Sequence, residues 1–210
     1  MTLKLHYAPN AISSATAITL HEAGLTFTPV PVDFAAAAQT KPAYHAINPK
    51  GRVPALETPH GILTETGALL EYVAALAPAA GLVPEDPFQA ARMREMMFYL
   101  ASTMHVNHAH RMRGARWADR PESHADMAAK VRANMQASCA HVETRLAGPF
   151  VLGDRLSLAD PYLFTVCAWL PSDGVDVTAF PKLAAHHAAM KDRASVQATR
   201  ALGIITEFAL

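Results

Sequence analysis

The sequence predicts two parts, an α/β domain followed by an all-helical domain. Three observations predict this division. Strand-like and helix-like segments alternate over roughly the first 80 residues, strand signals stop after the proline-rich stretch Pro84–Pro87, and apolar residues then recur at helical spacing. We therefore expect a first domain over residues 1–80, a linker at the prolines and a second domain over residues 87–210.

The first three elements are predicted to form a β-α-β unit. Leu3 to Tyr7 alternates apolar and polar residues like a strand, and Ala15 to Ala23 has the composition of a helix that Gly24 ends. Thr26 to Val32 follows as a second strand, rich in β-branched and aromatic residues.

Four further elements complete the first domain. The pattern predicts a helix over Pro42 to Ile47, short strands around Ala55-Leu56 and Ile62-Leu63, and a helix over Glu65 to Leu76. The resulting order, β-α-β-α-β-β-α, is that of a thioredoxin-like domain. The predicted fold class is thus a thioredoxin-like α/β N-terminal domain plus an all-α C-terminal domain.

Two apolar stripes at helical spacing predict the core of the second domain. Their members are Met93, Met96, Met97, Leu100 and Met104 in the first stripe, and Ala128, Val131, Met135, Cys139, Val142 and Leu146 in the second. Such stripes are typical of packing between helices, although methionines also line adaptable hydrophobic pockets.

A capping box is predicted further along the second domain. Ser157 can cap the N-terminus of a helix while Asp160, three residues later, reaches back to the Ser157 backbone. This helix, expected to run to about Leu170, is predicted to be the central buried element, and its box serves folding rather than chemistry. Pro181 to Arg193 and Ser195 to Phe208 are predicted to be two closing helices.

Composition excludes several classes of protein. The 18 basic and 18 acidic residues cancel, which disfavours binding to nucleic acid or to an anionic membrane surface. No apolar run is long enough to span a bilayer, and the first residues lack the apolar core of a signal peptide. Two cysteines are too few for a disulfide framework, so we expect a cytoplasmic protein.

The run from Asn48 to Leu56 is the first candidate binding segment. A strand entered through Val53-Pro54 lacks one ladder donor and can leave the backbone N–H and C=O of Val53 unpaired. These groups could bind the backbone of a peptide ligand. An ordinary edge-strand proline is the alternative, and the sequence does not show whether the bond is cis.

Glu65 and Thr66 form the second candidate binding segment. A carboxylate can bind a ligand ammonium, while a hydroxyl and backbone amides at a helix start can bind the neighbouring carboxylate. Alternatively, Thr64 or Thr66 caps the helix and Glu65 complements the helix dipole without any ligand.

Taken as a set, these motifs resemble those of the cytosolic glutathione transferases over essentially the whole chain. Tyr7 to Ser13 is similar to the opening Tyr-x-Pro-x-x-Cys-Ser of the bacterial beta class, and Tyr99 to His105 is similar to its Tyr-x-Ala-x-x-x-His run. One position departs from the pattern. Ile12 occupies the place of the beta-class cysteine, so a mixed disulfide with glutathione cannot form there.

The resemblance implies a glutathione S-transferase that uses glutathione as co-substrate. Val53, Pro54, Glu65 and Thr66 match the glutathione-binding positions, and the helical domain would hold a hydrophobic electrophile for attack by the thiol. It also implies a homodimer with a role in detoxification. The alternative is a catalytically silent glutathione-binding carrier or interaction protein of the same fold, which the loss of the cysteine keeps open.

Ser13 is the first candidate for activating the thiol. Ionising the glutathione thiol near neutral pH requires a pKa lowered by about two units, or roughly 3 kcal/mol. A hydrogen bond to the thiolate, together with the dipole of a helix N-terminus, supplies most of that energy. Ser14, Tyr7 and His105 are further candidates, whereas Ser13 or Ser14 could instead be a plain N-cap.

His105 is spaced one helical turn from Ala101 and two from Met97, at the edge of the apolar stripe. In that position it would orient glutathione or water or protonate a leaving group, unless it is a partly buried histidine with a local bond.

A cluster of histidines and arginines follows. It consists of His105, His108, His110, Arg111, Arg113 and Arg116. No nearby carboxylate or cysteine completes a metal-ligand set, so no metal is predicted. The arginines are either solvated charges of a helix or groups that meet an acidic second substrate.

Overall fold

A four-stranded mixed sheet lies in the first part of the computed structural model, which describes residues 2–206. Its strands are β1 (Lys4–Tyr7), β2 (Thr28–Pro31), β3 (Ala55–Thr58) and β4 (Gly61–Thr64), in the spatial order β2-β1-β3-β4. β1 pairs with β2 in parallel, and the other two pairings are antiparallel.

Three helices complete this domain and confirm the predicted order. They are α1 (Ser13–Glu22), α2 (Pro42–His45) and α3 (Thr66–Leu76). α1 and α3 contact each other, and their apolar residues share a buried cluster with the sheet. α3 begins one residue later than predicted, because Glu65 has a left-handed φ of 74° and cannot continue a helix.

One helical run, residues 87–109, opens the second domain. It comprises α4 (Pro87–Tyr99), a π-helical turn (Leu100–Met104) and α5 (His105–Ala109). The Asp86 carboxylate caps α4 by accepting a 2.8 Å hydrogen bond from the backbone N–H of Gln89. The first predicted stripe is buried along this run, and the second is buried along α6 (Pro121–Arg145) apart from its first member, Ala128.

α7 (Ala159–Cys167) is the buried centre of the second domain, as the sequence predicts, and every one of its residues is buried. It ends earlier than the predicted Leu170, where a separate 3₁₀ turn containing Pro171 begins. The predicted capping box is only half formed. Asp160 accepts a 2.7 Å bond from the Ser157 N–H, but the Ser157 hydroxyl donates to the same carboxylate instead of capping the helix.

The chain closes with α8 (Pro181–Lys191) and α9 (Ala194–Ala201). α9 stops well before the predicted Phe208, which itself lies outside the described residues. Gly203, with a φ of 71°, follows its end, and the C=O of Ile204 then accepts a 3.0 Å bond from the N–H of Asn10. The end of the described chain thus packs on the first domain. Across residues 2–206, no helix has the length and apolarity needed to cross a bilayer.

Acid is expected to destabilise this core through His187. The side chain stacks on Phe164 with 4.7 Å between ring centroids, and burial first, then His186 and Lys191, lower the pKa of His187 to about 4. In the unfolded chain its pKa is near 6.5, so the unfolded state binds more protons between these values and stability falls as the pH drops through that window. The effect is about 2 kcal/mol between pH 7 and pH 5.

Urea unfolding of the wild type and of His187→Gln at the two pH values measures this effect. The difference in unfolding free energy between the two proteins should be about 2 kcal/mol smaller at pH 5 than at pH 7. His141→Gln, at an exposed position, is the matched control. An unchanged difference would refute the assignment.

Candidate active site

A cleft of about 760 Å³ lies between the two domains. The first domain contributes the loop after β1, the entrance to β3 and the start of α3, while the second contributes the run from α4 to α5 and the segment after it. Most of the predicted site residues meet here. Those on the cleft wall are Val53, Pro54, Glu65, Thr66 and His105.

The entrance to β3 carries a cis peptide bond between Val53 and Pro54. The preceding loop is held by the C=O of Arg52, which accepts a 2.8 Å bond from the Tyr44 hydroxyl and a 2.6 Å bond from the Asn48 side chain. In the described part of the chain, no turn or loop hydrogen bond uses the N–H or C=O of Val53. Val53 lines the cleft, and its backbone groups have no partner among these turn and loop bonds.

Glu65 and Thr66 stand at the start of α3 beside this loop. Glu65 is held in left-handed backbone geometry, which costs of the order of 1–3 kcal/mol for a non-glycine residue. Its carboxylate pairs with the Lys50 ammonium, and 68% of its side chain is exposed. The capping alternative is not what the structure contains, because α3 has no side-chain cap and the Thr64 hydroxyl accepts from Lys50.

Ser13 lies behind the cleft wall rather than on it. Its side chain is fully buried, and its hydroxyl makes two 3.3 Å contacts with the backbone N–H and C=O of Ala8. The neighbouring Ser14 hydroxyl donates to the C=O of Ile204 at 3.4 Å. The wall at this point consists of Pro9 to Ile12.

The start of α1 still offers donors to the cleft. Ala11 and Ser14 donate their N–H groups within the turn, whereas the described loop hydrogen bonds use neither Ile12 nor Ser13 as a backbone donor. Unused N–H groups at the N-terminus of a helix are donors of the kind with which proteins bind anions.

Tyr7, a further candidate for thiol activation, is not among the residues that line the cleft. It lies on β1 and packs in the core between the sheet, α1 and α3, with 8% of its surface exposed. Alternation along the strand turns this side chain toward the core.

His105 faces the cleft, as the sequence predicts. Its ring lies 4.9 Å from that of Trp169. Burial first, and then electrostatic interaction with His108 and nearby arginines, lower the pKa of His105 to about 4. The imidazole is therefore neutral at physiological pH, a state that suits a hydrogen-bonding group rather than a charged acid.

A group of packed and hydrogen-bonded side chains, which the sequence did not predict, lies beside His105. The His108 Nδ1 lies 2.8 Å from the buried Asp173 carboxylate, and the His108 ring stacks on Trp169 at 4.4 Å. The indole N–H of Trp169 donates a 2.9 Å bond to the C=O of Asn10, which joins the second domain to the loop before α1. Asn10, His108 and the turn at residues 169–173 lie in three segments that are far apart in sequence, so only the fold associates them.

The arginines divide into two groups. Arg113 and Arg116 line the cleft together with Arg52 from the first domain. Arg111 instead donates to the C=O of Ser172 and lies 3.6 Å from Asp173. Among the described residues, no group of three or more histidine, cysteine, aspartate or glutamate side chains could hold a metal ion.

Two family models match this chain. One is described as the glutathione S-transferase N-terminal domain and matches residues 1–75, and the other is described as the C-terminal domain and matches residues 108–189. Glutathione S-transferase GstA of Escherichia coli O157:H7 is 33% identical over 93% of this chain and 96% of its own length. The chain belongs to the glutathione S-transferase family.

Solved structures agree with this membership. A glutathione transferase homologue from Sulfitobacter, with bound glutathione, is 58% identical and has a TM-score of 0.95 over 97% of this chain and 99% of its own. The bacterial beta class glutathione S-transferase of Sphingomonas chungbukensis is 30% identical, with a TM-score of 0.81 over 96% and 99% of the two chains. The predicted glutathione S-transferase fold is thus confirmed, and the matches favour a transferase over a silent carrier.

Proposed function

We propose that this glutathione S-transferase binds glutathione in the first domain, residues 1–80, and transfers its thiol to a hydrophobic electrophile held against the second, residues 87–210. The observation that carries the proposal is the shared cleft. The backbone of Val53, the Glu65-Thr66 pair, the start of α1 and His105 all border it.

Glutathione would be oriented by charge at one end and by backbone pairing in the middle. The Glu65 carboxylate binds the γ-glutamyl ammonium, and the Thr66 hydroxyl with the first amides of α3 binds the adjacent carboxylate. The N–H and C=O of Val53 pair with the cysteinyl backbone, as in the addition of a strand to a sheet edge. This arrangement directs the thiol toward the start of α1.

The thiolate would be stabilised at that helix start. Backbone N–H groups of Ile12 and Ser13, each donating to a charged acceptor, supply about 1.5–3 kcal/mol per bond, and the helix dipole adds about 0.3–1 kcal/mol. Together these cover the roughly 3 kcal/mol that ionisation near neutral pH requires. In this scheme the Ser13 hydroxyl braces Ala8, and neutral His105 donates a hydrogen bond to glutathione or the leaving group.

Apolar side chains opposite the helix start suit the body of an electrophile. Ile12 from the first domain and Met97 and Ala101 from the second line this part of the cleft. Attack by the thiolate forms a C–S bond and expels the leaving group with its electron pair, or adds across an activated double bond.

Titration of the thiolate absorbance of bound glutathione tests the proposal. A pKa about two units below that of free glutathione, together with conjugation of a panel of hydrophobic electrophiles, is the expected result. An unperturbed thiol pKa without conjugation would instead favour a glutathione-binding carrier.

The Ser13→Ala variant tests whether the Ser13 hydroxyl only binds the Ala8 backbone or donates a hydrogen bond to the thiolate. If the hydroxyl only braces Ala8, the substitution should lower kcat/KM by less than about tenfold and stability by about 1 kcal/mol. A direct donor to the thiolate would cost about a hundredfold or more in kcat. Ser138→Ala is the control, because Ser138 is equally buried but lies on α6, where it accepts a bond from Asn107.

We also propose a homodimer that acts in the cytoplasm in detoxification. Large exposed apolar side chains, such as Ile62 on the edge strand β4 and Phe98 on α4, support an interface between copies. Cys139 and Cys167 are both free thiols, which suits a reducing compartment. Sedimentation equilibrium of the purified protein should give twice the mass of the 22.5 kDa chain.

A further inference from the structure

Three guanidinium groups line the cleft without a carboxylate partner among the described residues. Arg52 precedes the cis bond, while Arg113 and Arg116 follow α5 in the second domain. Across residues 2–206, none of the three takes part in an ion pair or a side-chain hydrogen bond, whereas Arg94, Arg145 and Arg193 are each paired with a glutamate. All three residues are exposed to solvent, and all three line the cleft.

The three charges are close enough to affect each other. Lost hydration first, and then Arg113 and Arg52, lower the pKa of Arg116 to about 10. Burial and Arg52 also lower the pKa of Arg113. Mutual repulsion of this kind is relieved when an anion enters between the guanidinium groups.

Glutathione by itself leaves part of this charge unmatched. The two carboxylates of the cleft wall, Glu65 and Glu71, are already paired with Lys50 and Arg94. In the proposed binding mode, the γ-glutamyl end lies at α3 and the thiolate at α1. The glycine carboxylate is then the only charge of the tripeptide left to bind elsewhere. It is a single negative group, whereas the cleft offers three guanidinium groups.

Aromatic rings border the same region. Trp117 follows Arg116 directly and is 46% exposed, and Trp169 lies beside His105. An indole face next to guanidinium groups suits a flat, negatively charged molecule, because the ring packs while the arginines bind its oxyanion.

We propose that the second substrate is an aromatic or otherwise flat electrophile that carries a carboxylate or similar oxyanion, and that Arg113 and Arg116, with Arg52, bind this group. The inference rests on the proposed transfer reaction and adds the substrate's charge to it. The arginines are specificity residues, since they bind the oxyanion while the thiolate reacts elsewhere on the ring.

A matched pair of probes tests the charge requirement. The probes are para-chloro-meta-nitrobenzoate and its neutral amide, which differ little in shape. In both reactions the sulfur lone pair forms the C–S bond at the chlorinated carbon, the nitro group takes up the negative charge, and chloride then leaves with the electrons of the C–Cl bond. Each enzymatic kcat/KM is divided by the spontaneous rate constant to remove the difference in reactivity.

The corrected ratio of carboxylate to amide should exceed about ten in the wild type and fall at least about tenfold in Arg113→Gln and in Arg116→Gln. Arg116→Lys should recover part of the loss, since it keeps the charge but not the fork of donors. Arg120→Gln removes the same charge from an exposed position outside the cleft and should leave the ratio as in the wild type.

Other outcomes show whether the arginines bind the oxyanion of the second substrate or the glycine carboxylate of glutathione. An equal loss for both probes, with a raised KM for glutathione, would assign the arginines to the glycine carboxylate and overturn the proposal. A ratio near one in the wild type would also overturn it, while the transfer reaction itself would stand.

If neither probe reacts, the transfer reaction fails but the anion site is still tested. Calorimetry with the two chemically prepared glutathione conjugates, one carboxylated and one amidated, should then show at least about tenfold tighter binding of the carboxylated one. Equal affinities would refute the anion site.

Discussion

Glu65→Gln is expected to weaken glutathione binding by about tenfold to a hundredfold. The substitution keeps the size of the side chain but removes the charge that binds the γ-glutamyl ammonium, and a hydrogen bond to a charged group is worth about 1.5–3 kcal/mol. It also leaves the Lys50 ammonium without its partner beside the ligand ammonium, which adds repulsion. Calorimetric titration with glutathione measures the change.

The matched control for this prediction is Glu85→Gln. Glu85 is an exposed glutamate in the stretch between the two domains, away from the cleft wall. It should bind glutathione with wild-type affinity. A dissociation constant for Glu65→Gln within about threefold of the wild type would remove Glu65 from the proposed site.

Asp160→Ala is expected to lower the free energy of unfolding by about 3–5 kcal/mol. The Asp160 carboxylate is fully buried and accepts four bonds, from the N–H of Val151, from the N–H and hydroxyl of Ser157, and from His186 at 3.1 Å. Its removal leaves donors without acceptors on α8 and in the segment before α7. Urea unfolding followed by circular dichroism measures the loss.

Asp176→Ala provides the comparison for that experiment. Asp176 is an exposed cap that accepts from the N–H and hydroxyl of Thr178, and water can replace both bonds when it is removed. The Asp160→Ala variant should unfold at a clearly lower urea concentration than the Asp176→Ala variant. Equal effects of the two substitutions would mean that the buried network does not hold the second domain together.

Secondary structure followed from local patterns in the sequence. Period-two alternation marked β1, and Gly24, which was predicted to end the first helix, lies just past the end of α1. The predicted ends of helices were wrong where contacts with distant segments set the backbone geometry. At Glu65 the chain turns through a left-handed residue, and after Ala201 it leaves the helix to join the first domain.

Part of the candidate site could be predicted from the sequence and part could not, for a physical reason. Val53, Glu65 and Thr66 are close in sequence, and a short strand-turn-helix segment brings them together, so a motif describes them well. The Ser13 hydroxyl is turned inward to the backbone of Ala8, and the Ser14 hydroxyl donates to Ile204 in the returning tail. Trp169 reaches Asn10 across 159 positions, which no local pattern encodes.

By itself, the sequence determined the order of elements, the family and the half of the cleft that matches glutathione, because periodicity and short motifs are local properties of the chain. Only the tertiary structure decided which groups border the cleft. It buried Tyr7 and the Ser13 hydroxyl, brought His105 to the wall and placed Arg52 beside Arg113 and Arg116. The reason is that exposure and charge proximity arise from packing between segments that are distant in sequence.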